Sequence, residues 1–344
     1  MTTDAVATKK DVMISPLSRR RMLGGTALAT AVVAGMLASP AGAEAETTPR
    51  LIIDTDIFAD VDDVGALAIA NAAHQAGDVR LLAVVVNTPS RWGAPAASAI
   101  NTYYGNSHVP VGAREPVDDS VAERNYAQYL AEHFPNSLRD GRYAPEAVSL
   151  YRSVLAGQPD HGVTIAAIGL QTNLAALLAS GPDSRSRLTG RELVARKVAR
   201  LVVMGGQYPA GAEFNFTQDP AATQRVVAAW PTRMIFDGFE IGDTVYTGAG
   251  LAGTAADNPV RAAYRIYVGE GNNRSSWDLT AVHYAIYGAP GLYRLSGPGN
   301  NDIATDGSNT WHDTPPKDQY YLVKTASDDT IAGELNQLLT RPRR

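Results

Sequence analysis

From Arg50 onward the chain alternates short apolar runs with longer stretches in which Ala and Leu recur at helical spacing. Leu51–Ile53, Val79–Val86, Val163–Ile168, Leu201–Met204 and Met234–Phe236 are dominated by β-branched and aliphatic residues with little polar alternation, which predicts strands buried on both faces of a parallel sheet. Asp63–His74, Ala94–Tyr104, Pro145–Leu155, Thr172–Ala179 and Pro220–Ala229 fall between or after them and read as helices. This βαβ repetition predicts an α/β fold, a doubly wound and mostly parallel sheet of Rossmann-like type. Gly269–Asn273 and Gly297–Asn309, rich in Gly and Asn, read as loops, and Asp328–Leu339 as a closing helix with an acidic first turn. No Ser- or Pro-rich linker interrupts residues 51–344, so they are taken as one large domain.

The first residues carry a different pattern. Lys9, Lys10, Arg19, Arg20 and Arg21 precede an apolar stretch from Met22 to Ala38 and then small residues, with Ala41-Gly42-Ala43 as a cleavage site. Ser18-Arg19-Arg20-Arg21-Met22-Leu23 resembles a twin-arginine export signal, so residues 1–43 are read as a leader, 44–50 as a short linker, and the mature protein as secreted or periplasmic. A membrane anchor is the alternative, but the stretch holds two Thr and three Gly, where a spanning helix needs about 20 apolar residues. No stable membrane insertion is therefore expected after the leader is removed.

Composition narrows the chemistry. The 344 residues are 45% hydrophobic and 19% charged, which excludes disorder and coiled coil. Net charge is −5, and removing the leader leaves 25 basic against 33 acidic residues, a net of −8, so a nucleic-acid partner is not expected. With no cysteine, disulfides, thiolate metal sites and thiol nucleophiles are excluded.

The informative segment runs Leu51-Ile52-Ile53-Asp54-Thr55-Asp56-Ile57-Phe58-Ala59-Asp60-Val61-Asp62-Asp63, a buried strand leading into five aspartates within ten residues. Carboxylates crowded at the carboxyl edge of a sheet raise one another's pKa unless a cation compensates. Hard oxygens without His or Cys point to calcium. Helix capping explains Asp62 or Asp63 but needs only one such residue. An EF-hand loop begun at Asp54 fails, because its fifth and twelfth positions are Phe58 and Gly65. A strand followed by Asp-x-Asp also resembles haloacid dehalogenase-type phosphatases, with Asp54 as nucleophile and Asp56 as general acid, although that signature does not run on into a second Asp pair.

Asp54-Thr55-Asp56 with Asp62-Asp63 resembles the signature of the inosine-uridine-preferring nucleoside hydrolases, calcium-dependent N-ribohydrolases. Further segments agree in order: Asn87-Thr88, Ile168-Gly169-Leu170-Gln171-Thr172-Asn173, Met204-Gly205-Gly206, Ala212-Glu213-Phe214-Asn215 with Asp219-Pro220, and Trp277-Asp278. The resemblance spans about Leu51 to Ala285. It implies that Asp56 touches calcium and takes a proton from the attacking water, and that Asp63, the backbone carbonyl of Ile168 and Asp278 complete the metal ligands. It further implies that Asp62, Asn87, Glu213 and Asn215 hold ribose hydroxyls, with Met204 beneath the sugar and a nucleoside or related N-riboside as substrate. Relatives are often dimers or tetramers, so self-association as a homo-oligomer is implied as well.

Two departures mark this chain as divergent. The paired aspartates follow Asp56 by six and seven residues instead of the commoner four and five, with Asp60 between, which leaves open whether Asp60 or Asp62 faces ribose. Trp277 stands where many relatives place His as the leaving-group acid, and indole supplies no comparable proton. Trp277 is assigned to stacking on the substrate base or to wedging the core. Tyr208 and His312 are loop candidates for the acid, and His283 is expected to pack inside a helix. An exported N-ribosyl hydrolase is the primary reading. A secreted, non-catalytic pentose- or nucleoside-binding protein and the Asp54 phosphatase are the alternatives.

Overall fold

Strand β1 (Arg50–Thr55) shows why the apolar runs do not alternate with polar residues. Leu51 and Ile53 point into one apolar cluster and Ile52 into another on the opposite face. The same alternation recurs in β2 (Arg80–Val86), where Val84 and Val86 face the first cluster and Ala83 and Val85 the second. A strand covered by helices on both sides is apolar at every position.

The computed structural model describes residues 48–58, 60–118, 126–288 and 291–343. The described residues belong to one compact unit within Glu46–Arg344. The leader and most of the linker lie outside the described residues.

Between β1 and β2 runs helix α1 (Asp62–Ala76), followed by α2 (Gly93–Tyr103), β3 (Val111–Ala113), α3 (Tyr126–His133) and α4 (Ala147–Ala156). Next come β4 (Val163–Ile168), α5 (Thr172–Ala179), α6 (Gly190–Lys197), β5 (Val198–Met204), β6 (Ala210–Gly211), α7 (Phe214–Gln218), α8 (Pro220–Ala229) and β7 (Arg233–Asp237). The remainder is α9 (Phe239–Gly242), β8 (Tyr246–Thr247), α10 (Pro259–Tyr267), β9 (Arg274–Ser275), α11 (Trp277–Tyr287), β10 (Tyr293–Leu295), β11 (Asn300–Ile303), β12 (Asn309–His312), β13 (Gln319–Lys324) and α12 (Asp328–Leu339).

The main sheet has the order β10-β13-β7-β5-β4-β1-β2-β3 and is parallel except where β10 meets β13. Helices α1, α2, α11 and α12 contribute to the cluster on one face, and α4, α5, α6 and α8 to that on the other. From β1 the chain proceeds outward to β2 and β3, then returns to the other flank for β4, β5 and β7. The crevice at the carboxyl ends beside β1 is therefore a topological switch point, where such sheets bind ligands.

The stretch Gly297–Asn309, expected to be a loop, instead contains β11 and the start of β12, which join β6 in a small antiparallel sheet. These strands are short and carry Asn where strand propensity asks for Val or Ile. Buried amides hold them: Asn309 Nδ2 donates to the Gln207 carbonyl at 3.0 Å, and Gln319 Oε1 accepts from Asn301 N at 2.8 Å. Gly269–Asn273 remains a turn leading into β9.

Candidate active site

The five aspartates after β1 meet three different fates. Asp54, still within the strand, is fully buried and turned away from solvent. Its carboxylate accepts from Asn87 Nδ2 at 2.7 Å, Tyr151 Oη at 2.7 Å and Asn173 Nδ2 at 3.2 Å. Burial pushes its pKa up to about 6, against the lowering effect of those three donors. Asp60 pairs with Arg274 of β9, which donates from Nε to both carboxylate oxygens at 3.0 and 3.1 Å and also from Nη2. Asp56, Asp62 and Asp63 turn into a cavity.

That cavity, of about 300 Å³, is lined by Asp56, Asp60, Asp62, Asp63 and Asp278, by Met204, Glu213 and Asn215, and by Phe214, Phe239, Arg274 and Trp277 together with Ala212. Ligand oxygens of Asp62, Asp63 and Asp278 lie within 4.8 Å of one another, and all three residues are buried. Asp56 adjoins them closely enough that its charge helps to raise the pKa of all three. Thr55 Oγ1 donates to Asp63 while accepting from Ile57 N at 3.1 Å, which pins the turn out of β1.

Helix geometry assembles this acidic cluster. The N-terminus of α11 has no side-chain cap of its own, and Asp62 supplies one from α1 by accepting from Asp278 N at 3.0 Å. The helices come close because Gly65 lacks a side chain: a Cβ there would sit 2.5 Å from Tyr264 Oη and 2.8 Å from Leu279 Cδ1. On the other side, Ile168 ends β4 in register with Thr55, and a Cβ on Gly169 would lie 2.6 Å from Asp56 N. The backbone after β4 is thus pressed against Asp56.

Electrostatics follow from burial. Asp62, Asp63 and Asp278 are all held well above the ordinary carboxylate range, chiefly by desolvation and then by one another's charge. Asp56 is pushed up to about 7 by burial, helped by the charges of Glu213 and Asp60. Such a set of hard oxygens relieves its own repulsion around a divalent cation, so the residues present fit a bound metal ion.

On the far wall, Glu213 caps α7. Its carboxylate accepts from Asn215 N at 2.7 Å, Gly206 N at 3.1 Å and Phe216 N at 3.3 Å, and burial raises its pKa to about 7. Asn215 Nδ2 donates to the Met204 carbonyl at 3.3 Å and contacts the Met204 sulfur at 3.2 Å. Trp277 Nε1 donates to the Phe239 carbonyl at 2.9 Å, and the two rings lie 5.4 Å apart.

Several sequence expectations need correction. Asn87 is not among the residues that line the cavity; it sits next to Gly169 and its Nδ2 donates to Asp54 at 2.7 Å. Tyr208 is no loop acid, since its ring is stacked on Tyr321 at 4.9 Å and its hydroxyl accepts from Asn301 Nδ2 at 2.8 Å. His312 lies on β12 and does not line the cavity either. His283 packs inside α11 as expected. Burial lowers its pKa to about 4, which leaves it neutral and makes its 3.8 Å approach to Glu334 no ion pair at pH 7. Asp60, left open between ribose and other roles, faces Arg274. Arg274, Phe239 and the rim position of Phe214 were not assigned from the sequence; no local pattern marks an arginine 214 residues from its aspartate.

A family model described as inosine-uridine preferring nucleoside hydrolase matches residues 51–317. The chain belongs to this family. Among curated nucleoside hydrolases, the pyrimidine-specific ribonucleoside hydrolase RihA of Klebsiella pneumoniae is 40% identical over 98 residues, 26% of this chain and 28% of that protein. The non-specific ribonucleoside hydrolase RihC of Escherichia coli is 29% identical over 184 residues, 50% of this chain and 56% of that protein. The matched segments thus span between about a quarter and just over half the length of these relatives. The fold is shared with an inosine-uridine preferring nucleoside hydrolase from Bacillus anthracis, at a TM-score of 0.65, 17% identity, and coverage of 86% of this chain and 100% of that one. A purine-preferring ribonucleoside hydrolase from Gardnerella vaginalis gives a TM-score of 0.64 at 19% identity, covering 85% and 98%.

Proposed function

We propose that this chain hydrolyses the N-glycosidic bond of a ribonucleoside or related N-riboside, with Asp56 as general base. The observation that carries this reading is the convergence of Asp56, Asp62, Asp63 and Asp278 in the same cavity as Glu213, Asn215 and Met204. Asp63 and Asp278, with Asp56 and the backbone carbonyl of Ile168, are the residues that would hold calcium. When bound, the ion would supply positive charge that offsets these carboxylates and orders the attacking water with the ribose hydroxyls. Asp56, buried on the cavity wall beside the other carboxylates, is placed to accept the water's proton. As the C1′–N bond lengthens, positive charge grows on C1′ and the ring oxygen, and the surrounding carboxylates favour that charge. Asp62, Glu213 and Asn215 face the sugar in this reading, and Trp277 with Phe239 offers the aglycone an aromatic wall.

The test is incubation of the leaderless protein with a nucleoside panel and assay of free reducing sugar. Release that disappears with EDTA and in Asp56→Asn, from protein carrying roughly one equivalent of calcium, supports the reading. A second reading, a secreted pentose- or nucleoside-binding protein, is favoured by the missing His before Asp278 and predicts tight binding without release. The Asp54 phosphatase has little support from geometry, since both Asp54 oxygens are occupied inside the core. Export by the twin-arginine route is proposed from residues 18–23, and changing Arg19 and Arg20 together to Lys should strand the protein in the cytoplasm. Continued export would remove that proposal.

A further inference from the structure

With Trp277 in the position preceding Asp278, the cavity needs another group to stabilise the departing aglycone. Tyr208, His283 and His312 lie away from the wall, and Trp277 spends its only N–H on the Phe239 carbonyl. One hydrogen-bond donor on the wall remains a cation at every pH the protein meets. We infer that Arg274 carries the leaving-group interaction, donating a hydrogen bond to the aglycone as the C1′–N bond breaks, with Asp60 as the residue that positions it. The inference rests on the hydrolase reading above.

Three observations support it. Arg274 lines the cavity and is 33% exposed at its side chain, so part of the guanidinium is within reach of a ligand. Asp60 engages Nε and Nη2 on one edge of the fork, while Nη1 has no hydrogen-bond partner among the described residues. The guanidinium plane is steadied from a second direction by Trp277, with Cζ 5.0 Å from the ring centroid, and from a third by Tyr267 at 5.8 Å. A guanidinium gripped by a carboxylate and two aromatic rings is pre-organised, and its remaining donors need little reordering when charge appears on the aglycone. Asp60 belongs to the longer loop between Asp56 and Asp62, which this chain has in place of the shorter spacing.

The chemistry balances without Arg274 giving up a proton. The C1′–N electron pair leaves with the aglycone nitrogen, the water oxygen forms the new bond to C1′, and the water's proton passes to Asp56. The aglycone anion, held by the Arg274 N–H, is then protonated from solvent, and Asp56 returns its proton to solvent.

The experiment compares two ribosides that differ in leaving-group demand. Wild type, Arg274→Lys and Arg274→Ala are assayed on a natural nucleoside, whose base is a poor leaving group, and on p-nitrophenyl riboside, whose nitrophenolate departs unaided. Arg274→Ala is expected to lose about 10²-fold or more in kcat on the nucleoside, to stay within about threefold on the nitrophenyl substrate, and to recover partly on addition of guanidinium; Arg274→Lys should fall between. Retained nitrophenyl turnover in the same preparation shows that the variant is folded. Equal losses on both substrates, or no loss on either, would overturn the role of Arg274. A wild-type protein that cleaves neither substrate would instead overturn the hydrolase reading.

Discussion

Asp54 and Asp56 are the same letter two positions apart, yet one is a structural anchor and the other a candidate base. Strand periodicity alone would put both on one face; the point where β1 ends separates them, since Asp54 is in the ladder with Tyr151 and two amides around it, whereas Asp56 lies just past the strand in the turn. Removing the Tyr151 hydroxyl takes a hydrogen bond from a buried carboxylate, so Tyr151→Phe should cost about 1–3 kcal/mol of stability in urea unfolding. The catalytic constant should be nearly unchanged, and a lost kcat with intact stability would place Asp54 in the chemistry. Asp56→Asn should do the reverse, lowering turnover by about 10²–10⁴-fold with little change in the unfolding midpoint. The motif was legible at this scale because five aspartates in ten residues are conspicuous. The sorting of those aspartates was not, since it depends on partners 33 to 216 residues away.

At the scale of elements, the site depends on two helices meeting at their N-termini. Helix α1 is buried from Asp62 to Ala73, so it shows no polar stripe, and its function is to carry Asp62 and Asp63 to the start of α11. Gly65→Ala would drive a methyl group into Tyr264 and Leu279. It should destabilise the fold by about 1–3 kcal/mol and weaken calcium binding by prising Asp62 and Asp63 away from Asp278. Isothermal titration with calcium, run beside urea unfolding, checks this, and unchanged affinity would separate helix packing from the cluster. Helices Thr172–Ala179, Pro220–Ala229 and Asp328–Leu339 were readable to the residue: a capping Asp or Ser or an N-terminal Pro marks two of them, and the third starts shortly after β4 and stops at Ser180. Strands β11 and β12 were not, because Asn-rich edges hold only through long-range amide bonds.

For the whole molecule, the buried acids make stability depend jointly on pH and cation. Asp54 and Asp56 have folded pKa values of about 6 and about 7, against 3.8 for an ordinary aspartate, so the metal-free folded state binds more protons than the unfolded state. By linkage, metal-free stability should fall as pH rises from about 4 to about 7. A bound divalent cation offsets that charge, so the rise in melting temperature on adding calcium should be larger at pH 8 than at pH 5; calcium at 100 times its Kd contributes about 2.7 kcal/mol. Differential scanning calorimetry in EDTA and in calcium measures this, and an equal rise at both pH values would mean that the acids do not hold the ion. The sequence by itself determined the parallel α/β architecture, the edge of the sheet where the acids collect and the family, because apolar periodicity and short motifs are local signals. Only the tertiary structure decided which carboxylates share a cavity, that Asp60 is neutralised by Arg274, that Asn87 donates to Asp54, and that Tyr208 and His312 lie off the cavity wall. Those outcomes depend on contacts between residues far apart in the chain, and a charge's role is set by what surrounds it once water has been excluded.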